Sequence, residues 1–148
     1  MEMMDKLQKR FGDMISEVEE SIQPAIWVTK ENLLRVMEAL KEEDEFNFKL
    51  LADLTGADYE DHMEVVYHLM NLDNCQLLRV KTKLDKNNPE VDSLSKLWKA
   101  AVIQEREAYD LLGIKFAGHP NLKRILCPDD FEGHALRKDF KLNQRAAK

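Results

Sequence analysis

Two histidines and a cysteine in the C-terminal third of the chain, His119, Cys127 and His134, are residue types that commonly bind transition metals. Their spacing matches no short metal-ligand motif, and Pro120 directly follows His119. The other cysteine, Cys75, lies far from them in the sequence, so no CxxC pair is present to ligate an iron-sulfur cluster or a structural zinc ion. Between a metal site and hydrogen-bonded structural histidines with an inert cysteine, we expect the second.

Two carboxylate pairs, Glu105 with Glu107 and Asp129 with Asp130, have the chemistry of a general acid and base. Helical residues two apart do not share a face, so Glu105 and Glu107 are not expected to converge on one bond. Adjacent acidic residues such as Asp129 and Asp130 are usually solvated. Neither pair therefore predicts a catalytic site.

Nucleophilic catalysis by Cys127 is a third enzymatic interpretation. It requires a nearby base, for which His134 is the candidate, and a thiol pKa below its ordinary value. The sequence also lacks the GxGxxG and GxxxxGK[ST] motifs that bind nucleotide phosphates. The residues alone therefore identify no catalytic group.

The charge of the chain is unevenly distributed. The 148 residues carry a net charge of −6, yet residues 123–148 contain seven Lys and Arg against four Asp and Glu, while the preceding residues contain 15 against 24. The acidic body would repel phosphate, so we expect no nucleic-acid binding. No apolar segment is long enough to span a membrane and the N-terminus is charged throughout, so we expect a soluble, cytosolic chain.

Hydrophobic periodicity predicts three helices. The first covers residues 1–20, the second follows Thr29 as its N-cap, and the third begins near Leu94 and ends at Gly113. The apolar positions that define the first helix are Met4, Leu7, Phe11, Met14, Ile15 and Val18.

Four short segments are typical of strands: the apolar residues 25–28 and the alternating residues 46–50, 63–69 and 78–84. Strands joined by a short polar turn, such as residues 71–74, are most simply antiparallel. We therefore predict an α+β fold, with a small, mainly antiparallel sheet packed with helices and followed by an extended irregular C-terminal segment.

Residues 114–148 show no sustained periodicity and contain Pro120 and Pro128. The segment is too apolar for disorder, and a long irregular segment in a small domain is usually functional. We expect residues 1–113 to form a globular α+β domain and residues 114–148 an extended partner-binding segment, within one structural domain overall.

Charged residues on the third predicted helix suggest how this segment is held. Arg106 and Asp110 are four residues apart and predict an ion pair. Glu105 lies on the apolar stripe of the helix, where a carboxylate needs an arginine partner. That partner belongs either to an internal salt bridge or to a neighbouring protein in a complex. The internal candidates are Lys123 with Arg124, and Arg137 with Lys138.

Three stretches of the C-terminal third stand in a recognisable order: EREAYDLLGIKF at residues 105–116, GHPNLKRIL at 118–126 and GHALRKDF at 133–140. Together they resemble the signature of the C subunit of respiratory complex I, NADH-quinone oxidoreductase, a family shared with related membrane-bound energy-converting hydrogenases. The match is dense over residues 97–140. Before residue 97 the resemblance is limited to the general arrangement of a helix and a small sheet. The sequence departs from the family pattern at Ala135 and at Lys141, where proline is usual.

The resemblance implies a non-catalytic scaffold subunit of the peripheral arm, on the cytoplasmic face of the membrane and in contact with the membrane only through the complex. Its partners would be neighbouring iron-sulfur subunits and the large quinone-site subunit related to the nickel-iron hydrogenase large subunit. The chain would bind no cofactor, since the iron-sulfur clusters and a flavin or nickel-iron site would belong to partner subunits. The alternative is the equivalent subunit of a membrane-bound nickel-iron hydrogenase or a formate hydrogenlyase-like complex.

The same resemblance implies structural or interface roles for residues of the three stretches, without separating the two roles. These residues are Glu105, Arg106, Glu107, Asp110, Gly113, Phe116, Gly118, His119, Pro120, Arg124, Gly133, His134, Leu136, Arg137, Lys138 and Asp139.

Overall fold

The computed structural model describes residues 2–127 and 133–137. Within these residues the chain forms three α-helices, α1 (Glu2–Phe11), α2 (Lys30–Glu42) and α3 (Ala100–Leu112), and a short 3-10 helix at Gly12–Met14. The strands are β1 (Ile15–Glu19), β2 (Ala25–Val28), β3 (Leu50–Asp58), β4 (Met63–Asn71), β5 (Gln76–Leu84), β6 (Glu90–Asp92) and β7 (Lys115–Ala117).

Five strands form one sheet in the order β1-β2-β5-β4-β3. Only the β2–β5 pairing within this sheet is parallel, and β6 and β7 form a separate parallel pair. The predicted α+β class with a mainly antiparallel sheet is confirmed. Among the described residues, no helix is both long and apolar enough to cross a membrane.

The β4–β5 hairpin shows how the sequence pattern builds the sheet. Met63, Tyr67 and Leu69 alternate along β4 and are fully buried, whereas Val66 and His68 on the opposite face are partly exposed. Side chains alternate between the two faces of a strand, so the first set forms the core with the helices. The predicted polar turn after β4 is confirmed by the hairpin pairing.

The first predicted helix is too long. Helix α1 ends at Phe11, Gly12 adopts a φ of +50°, and Ile15 and Val18 pair with β2 in an antiparallel strand. Ile and Val pack well on a sheet, and a glycine accepts positive φ at little cost, so the chain leaves the helix at this point.

The predicted strand at residues 46–50 is wrong. Phe46 and Phe48 are buried, but Asn47 between them has a φ of +52°, and β3 starts only at Leu50. The start of α3 is also shifted, because Leu94 accepts hydrogen bonds from the amides of Leu97 and Trp98 in turns that precede Ala100.

Helix α3 packs closely on β3. A Cβ atom on Gly56 of β3 would overlap Leu112 and lie 3.0 Å from the Cδ1 atom of Ile114. Gly113 ends α3 with a φ of +78°, as predicted. Ile114 and Phe116 beyond it are buried in the core, and the division of the chain at residue 113 stays a prediction.

Candidate functional site

The side chain of Asp110 on α3 is fully buried and organises the segment that follows β7. Its Oδ1 atom accepts a 2.8 Å hydrogen bond from Nη1 of Arg124. Its Oδ2 atom accepts hydrogen bonds from three successive amides: Ile125 at 3.1 Å, Leu126 at 2.6 Å and Cys127 at 2.8 Å. One carboxylate thereby fixes the backbone of residues 124–127.

The charge of Asp110 is stabilised in the folded protein. Burial by itself raises the pKa of this carboxyl, but the amides of Cys127, Leu126 and Ile125 and the guanidinium of Arg124 outweigh it and lower the pKa to about 2. Hydrogen bonds that favour the ionised form have this effect on a carboxylate. Asp110 is therefore an anion at every pH at which the protein would function.

Two arginines complete the attachment of the segment to α3. Arg106 donates from Nε and Nη2 to the carbonyl oxygens of Lys123 and Arg124, both at 3.0 Å. Arg124 in turn donates from Nη2 to the carbonyl of Gly133 at 2.8 Å. The predicted pair between Arg106 and Asp110 is wrong, since Asp110 pairs with Arg124, which is nearer in space although farther in sequence. Arg124 thus forms an internal salt bridge.

Residues 133–137 lie against the end of α3. Nδ1 of His134 donates to the carbonyl of Asp110 at 2.9 Å, and the amide of Leu136 donates to the carbonyl of Leu111 at 2.8 Å. The His134 ring covers Gly113 so closely that a Cβ there would lie 2.8 Å from its Cδ2 atom. The absence of a side chain at Gly113 permits both its left-handed backbone and this contact. We call Arg106, Asp110, Arg124 and His134 the Asp110 network.

Glu105 is buried next to this network but bonds elsewhere. It accepts hydrogen bonds from the Ser93 hydroxyl at 2.6 Å and from the Leu94 amide at 2.8 Å. The predicted arginine partner is wrong, because a hydroxyl and an amide from the linker between β6 and α3 fill its place. Burial raises the pKa of Glu105, although the hydrogen bonds from Ser93 and Leu94 lower it. Glu107 is exposed, so the two carboxylates do not converge, as expected.

The ring of His119 is held by backbone groups. Nε2 donates to the carbonyl of Val102 at 2.9 Å, and Nδ1 accepts a hydrogen bond from the amide of Asn121 at 2.9 Å. These partners fix the tautomer with the proton on Nε2. His119 therefore connects α3 to the turn at Pro120, as the structural interpretation predicts.

The structure does not gather the sequence candidates for a metal site. Within residues 2–127 and 133–137, no three His, Cys, Asp or Glu side chains come together in a group that could hold a metal ion. Burial raises the pKa of Cys127, and the negative charge of Asp110 raises it further. The nucleophilic interpretation requires a lowered thiol pKa, and the raised pKa of Cys127 does not favour it.

The remaining predicted site residues occupy different environments. Phe116 is buried, Gly118 has a φ of +84°, and Pro120 is exposed. Arg137 donates to the carbonyl of Lys86 at 3.2 Å. Lys138 and Asp139 lie outside the described residues, as does the carboxylate pair at 129 and 130.

The segment held by the Asp110 network presents apolar side chains to solvent. Ile125 is 37% exposed, Leu126 is 62% exposed and Leu136 is 61% exposed. Ile103 on α3 is 46% exposed. Large apolar side chains on well-ordered backbone are typical of a surface that a partner covers. We call Ile125, Leu126 and Leu136 the apolar strip.

The sequence comparisons identify the family. The family model described as "Respiratory-chain NADH dehydrogenase, 30 Kd subunit" matches residues 26–146. The chain belongs to this family. It is 54% identical over 142 residues to the C subunit of NADH-quinone oxidoreductase from Moorella thermoacetica, a match that covers 94% of this chain and 93% of the relative. It is 43% identical to the corresponding protein of Citrifermentans bemidjiense, and the match covers 93% of this chain and 86% of that relative.

Solved structures share the fold. Nqo5, as a trypsin-resistant fragment (1-134), superposes with a TM-score of 0.71 at 26% identity, covering 82% of this chain and 100% of the fragment. A chain of the membrane-bound sulfane sulfur reductase, an archaeal respiratory membrane complex, superposes with a TM-score of 0.82 at 24% identity. The match covers 98% of this chain and 87% of that chain. The second likeness concerns the fold alone.

Proposed function

We propose that the chain is a non-catalytic scaffold subunit of an NADH-quinone oxidoreductase of the complex I type. Through its apolar strip it packs on the large quinone-site subunit, the one related to the nickel-iron hydrogenase large subunit. It supports electron transfer coupled to ion translocation by holding that subunit in place, and it binds no cofactor itself. The iron-sulfur clusters and the flavin belong to partner subunits, including neighbouring iron-sulfur subunits.

The observation that carries this proposal is the combination of a fixed backbone with exposed apolar side chains. The Asp110 carboxylate satisfies three consecutive amides, so residues 125–127 are ordered without a helix or strand of their own. A surface that is ordered before binding loses less conformational entropy when a partner arrives. When a partner covers exposed leucines on such a surface, the apolar area removed from water contributes to the binding free energy.

In this proposal, the charged side chains of the site hold the apolar strip in place and have no catalytic role. Asp110, Arg106 and Arg124 bond to one another or to backbone groups of the same chain. A carboxylate whose pKa lies near 2 is a poor proton donor or acceptor at neutral pH. These side chains are therefore positioning residues for the apolar strip.

In this proposal the chain lies on the cytoplasmic face of the membrane and touches the membrane only through the complex. The alternative assembly is a membrane-bound nickel-iron hydrogenase or a formate hydrogenlyase-like complex. The large subunit that accompanies the chain distinguishes the two, because a nickel site requires two CxxC pairs in that subunit.

The proposal is tested by co-purification from mildly solubilised membranes with a tagged chain. We expect the large subunit to be recovered with the wild-type chain and to be lost with Leu126→Glu, because a carboxylate cannot enter an apolar pocket without a desolvation penalty. Leu34→Glu is the matched control, since Leu34 on α2 is 38% exposed and distant from the strip in sequence. Equal recovery with Leu126→Glu and the control would overturn the proposed interface.

A further inference from the structure

The turn between β3 and β4 holds a histidine between two carboxylates. Nδ1 of His62 lies 2.6 Å from Oδ1 of Asp61, and Nε2 lies 2.8 Å from Oε2 of Glu64. An ionised carboxylate only accepts hydrogen bonds, whereas a neutral imidazole has one N–H and one lone pair. Both contacts are hydrogen bonds only when the ring is an imidazolium, with a proton on each nitrogen. The geometry of the turn therefore fits the charged form of His62.

The two carboxylates differ in their access to water. The side chain of Asp61 is 86% exposed, whereas that of Glu64 on β4 is 8% exposed. Water can replace the hydrogen bond to Asp61, but a buried carboxylate that loses its donor keeps its desolvation penalty. A neutral His62 is therefore expected to keep its proton on Nε2, bonded to Glu64, and to release Asp61.

The other groups that face His62 come from the turn and from β5. The ring of Tyr59 stacks on the imidazole with the two centroids 4.9 Å apart. Lys83 on β5 is opposite Glu64 in the register, and its positive charge acts on Asp61. The hydrogen bond to Glu64 raises the pKa of His62 most, and with the contribution of Asp61 it outweighs burial, so that the pKa lies above its ordinary value of 6.5. Histidines titrate within the physiological pH range, so such a group can respond to pH.

Lys86, which follows β5, connects this turn to the C-terminal segment. The amide of Tyr59 donates to the carbonyl of His62 at 2.9 Å and closes the turn. The carbonyl of Tyr59 accepts a hydrogen bond from Nζ of Lys86 at 2.7 Å, and the same Nζ lies 2.9 Å from Oδ1 of Asp58. The backbone carbonyl of Lys86 accepts a hydrogen bond from Nη2 of Arg137 at 3.2 Å. A continuous series of contacts therefore joins His62 to Arg137.

We propose that His62 is a pH-sensitive switch: its imidazolium orders the β3–β4 turn, and loss of the proton loosens both the turn and, through Lys86, the attachment of residues 133–137. The inference does not rest on the proposed function, because it concerns contacts within this chain. Binding of the proton and attachment of the segment favour each other, and this coupling is reciprocal. The stability that the charged ring contributes is fully present below pH 6.5 and is lost as the pH rises through the higher folded pKa.

NMR spectroscopy of the full-length chain across a pH series tests the switch. We expect the Cε1 signal of His62 to titrate with a pKa above 6.5, and the amide signals of Tyr59 and Leu136 to change with the same midpoint. Glu64→Gln should lower the His62 pKa more than Asp61→Asn, because Glu64 makes the larger contribution. A His62 pKa of 6.5 or below in the wild-type chain, or a Leu136 amide that does not follow His62, would overturn the proposal.

Substitutions of the histidine and of Lys86 test the route of the coupling. In His62→Gln the shared midpoint should disappear from both amide signals, which distinguishes His62 from the nearby His134 as the group that Leu136 reports. His68→Gln, at another partly exposed histidine of β4, is the matched control and should preserve the midpoint. Lys86→Met should remove it from Leu136 but not from Tyr59. If the midpoint at Leu136 persists in His62→Gln or in Lys86→Met, the switch or its route through Lys86 is refuted.

Discussion

At the scale of single residues, Asp110 determines the conformation of a segment that has no regular secondary structure. The sequence shows the aspartate but not its partners, because Arg124 and the amides of residues 125–127 are more than a dozen positions away in an aperiodic region. Helical spacing favours Arg106 as the partner, yet Arg106 binds two backbone carbonyls instead. Spacing rules describe neighbours on one helix and cannot reveal a loop folded over it.

Asp110→Asn should destabilise the protein by about 2 kcal/mol at neutral pH, because a folded pKa of about 2 lies well below the ordinary value of 3.8. A depressed carboxyl pKa contributes stability that is present above pH 3.8 and is lost as the pH falls through about 2. Urea unfolding across this pH range should show that the difference in the free energy of unfolding between wild type and variant decreases as the pH is lowered. Asp13→Asn, at an exposed aspartate, is the control, and a difference independent of pH would contradict this account.

Gly113→Ala should destabilise the protein more than Gly118→Ala. Both glycines have left-handed φ values, +78° and +84°, so each alanine carries a similar backbone strain of about 1–2 kcal/mol. At Gly113 the new Cβ approaches the His134 ring, whereas at Gly118 no atom of the residues that the structure describes lies within 4 Å of it. Thermal unfolding measures the difference, and addition of His134→Ala should remove the excess in Gly113→Ala. Equal losses in the two single variants would show that the ring contact is unimportant.

At the scale of elements, the helices and strands predicted correctly are those for which the apolar periodicity and the terminating residues indicate the same boundaries. The β4–β5 hairpin and the end of α3 at Gly113 follow from alternation and from a glycine C-cap. The start of α3 and the position of β3 were not predictable in this way, because Leu94, Trp98, Phe46 and Phe48 are buried from turns. An apolar residue predicts that its side chain is buried. Periodicity alone does not show whether the backbone at that residue is a helix, a strand or a turn.

Glu105→Gln should retain the attachment of α3 to the preceding linker. A glutamine can accept from the Leu94 amide and donate to the Ser93 hydroxyl, the two groups that Glu105 contacts. Because burial raises the pKa of Glu105, its protonated form is favoured in the folded state, and this contribution to stability is lost as the pH rises through the folded pKa.

The free energy of unfolding of Glu105→Gln should therefore equal or exceed that of wild type at neutral pH, and should decline less between acidic and neutral pH. Glu105→Ala is the matched comparison, and should cost about 1–3 kcal/mol because it leaves the Leu94 amide unpaired. A large loss in Glu105→Gln would show that the carboxylate charge itself stabilises the fold.

At the scale of the whole molecule, the two ends of the sheet present different surfaces. The apolar strip stands on a backbone fixed by the Asp110 network, whereas the hairpin end of the sheet carries a cavity lined by both polar and apolar residues. The sequence motifs pointed to the first surface because they contain its residues, but they contain none of the residues of the second. Ile22 and Leu77 carry no pattern of their own, since they come to line one cavity only when the sheet is formed.

The central claim, that the apolar strip contacts the large subunit, is tested most directly by a photoreactive amino acid at position 126 in native membranes, followed by mass spectrometry of the cross-linked protein. The account predicts a cross-link to the large subunit related to the nickel-iron hydrogenase large subunit, and none from position 34 on α2. A cross-link from position 126 to a different protein, or no cross-link from an assembled complex, would contradict it.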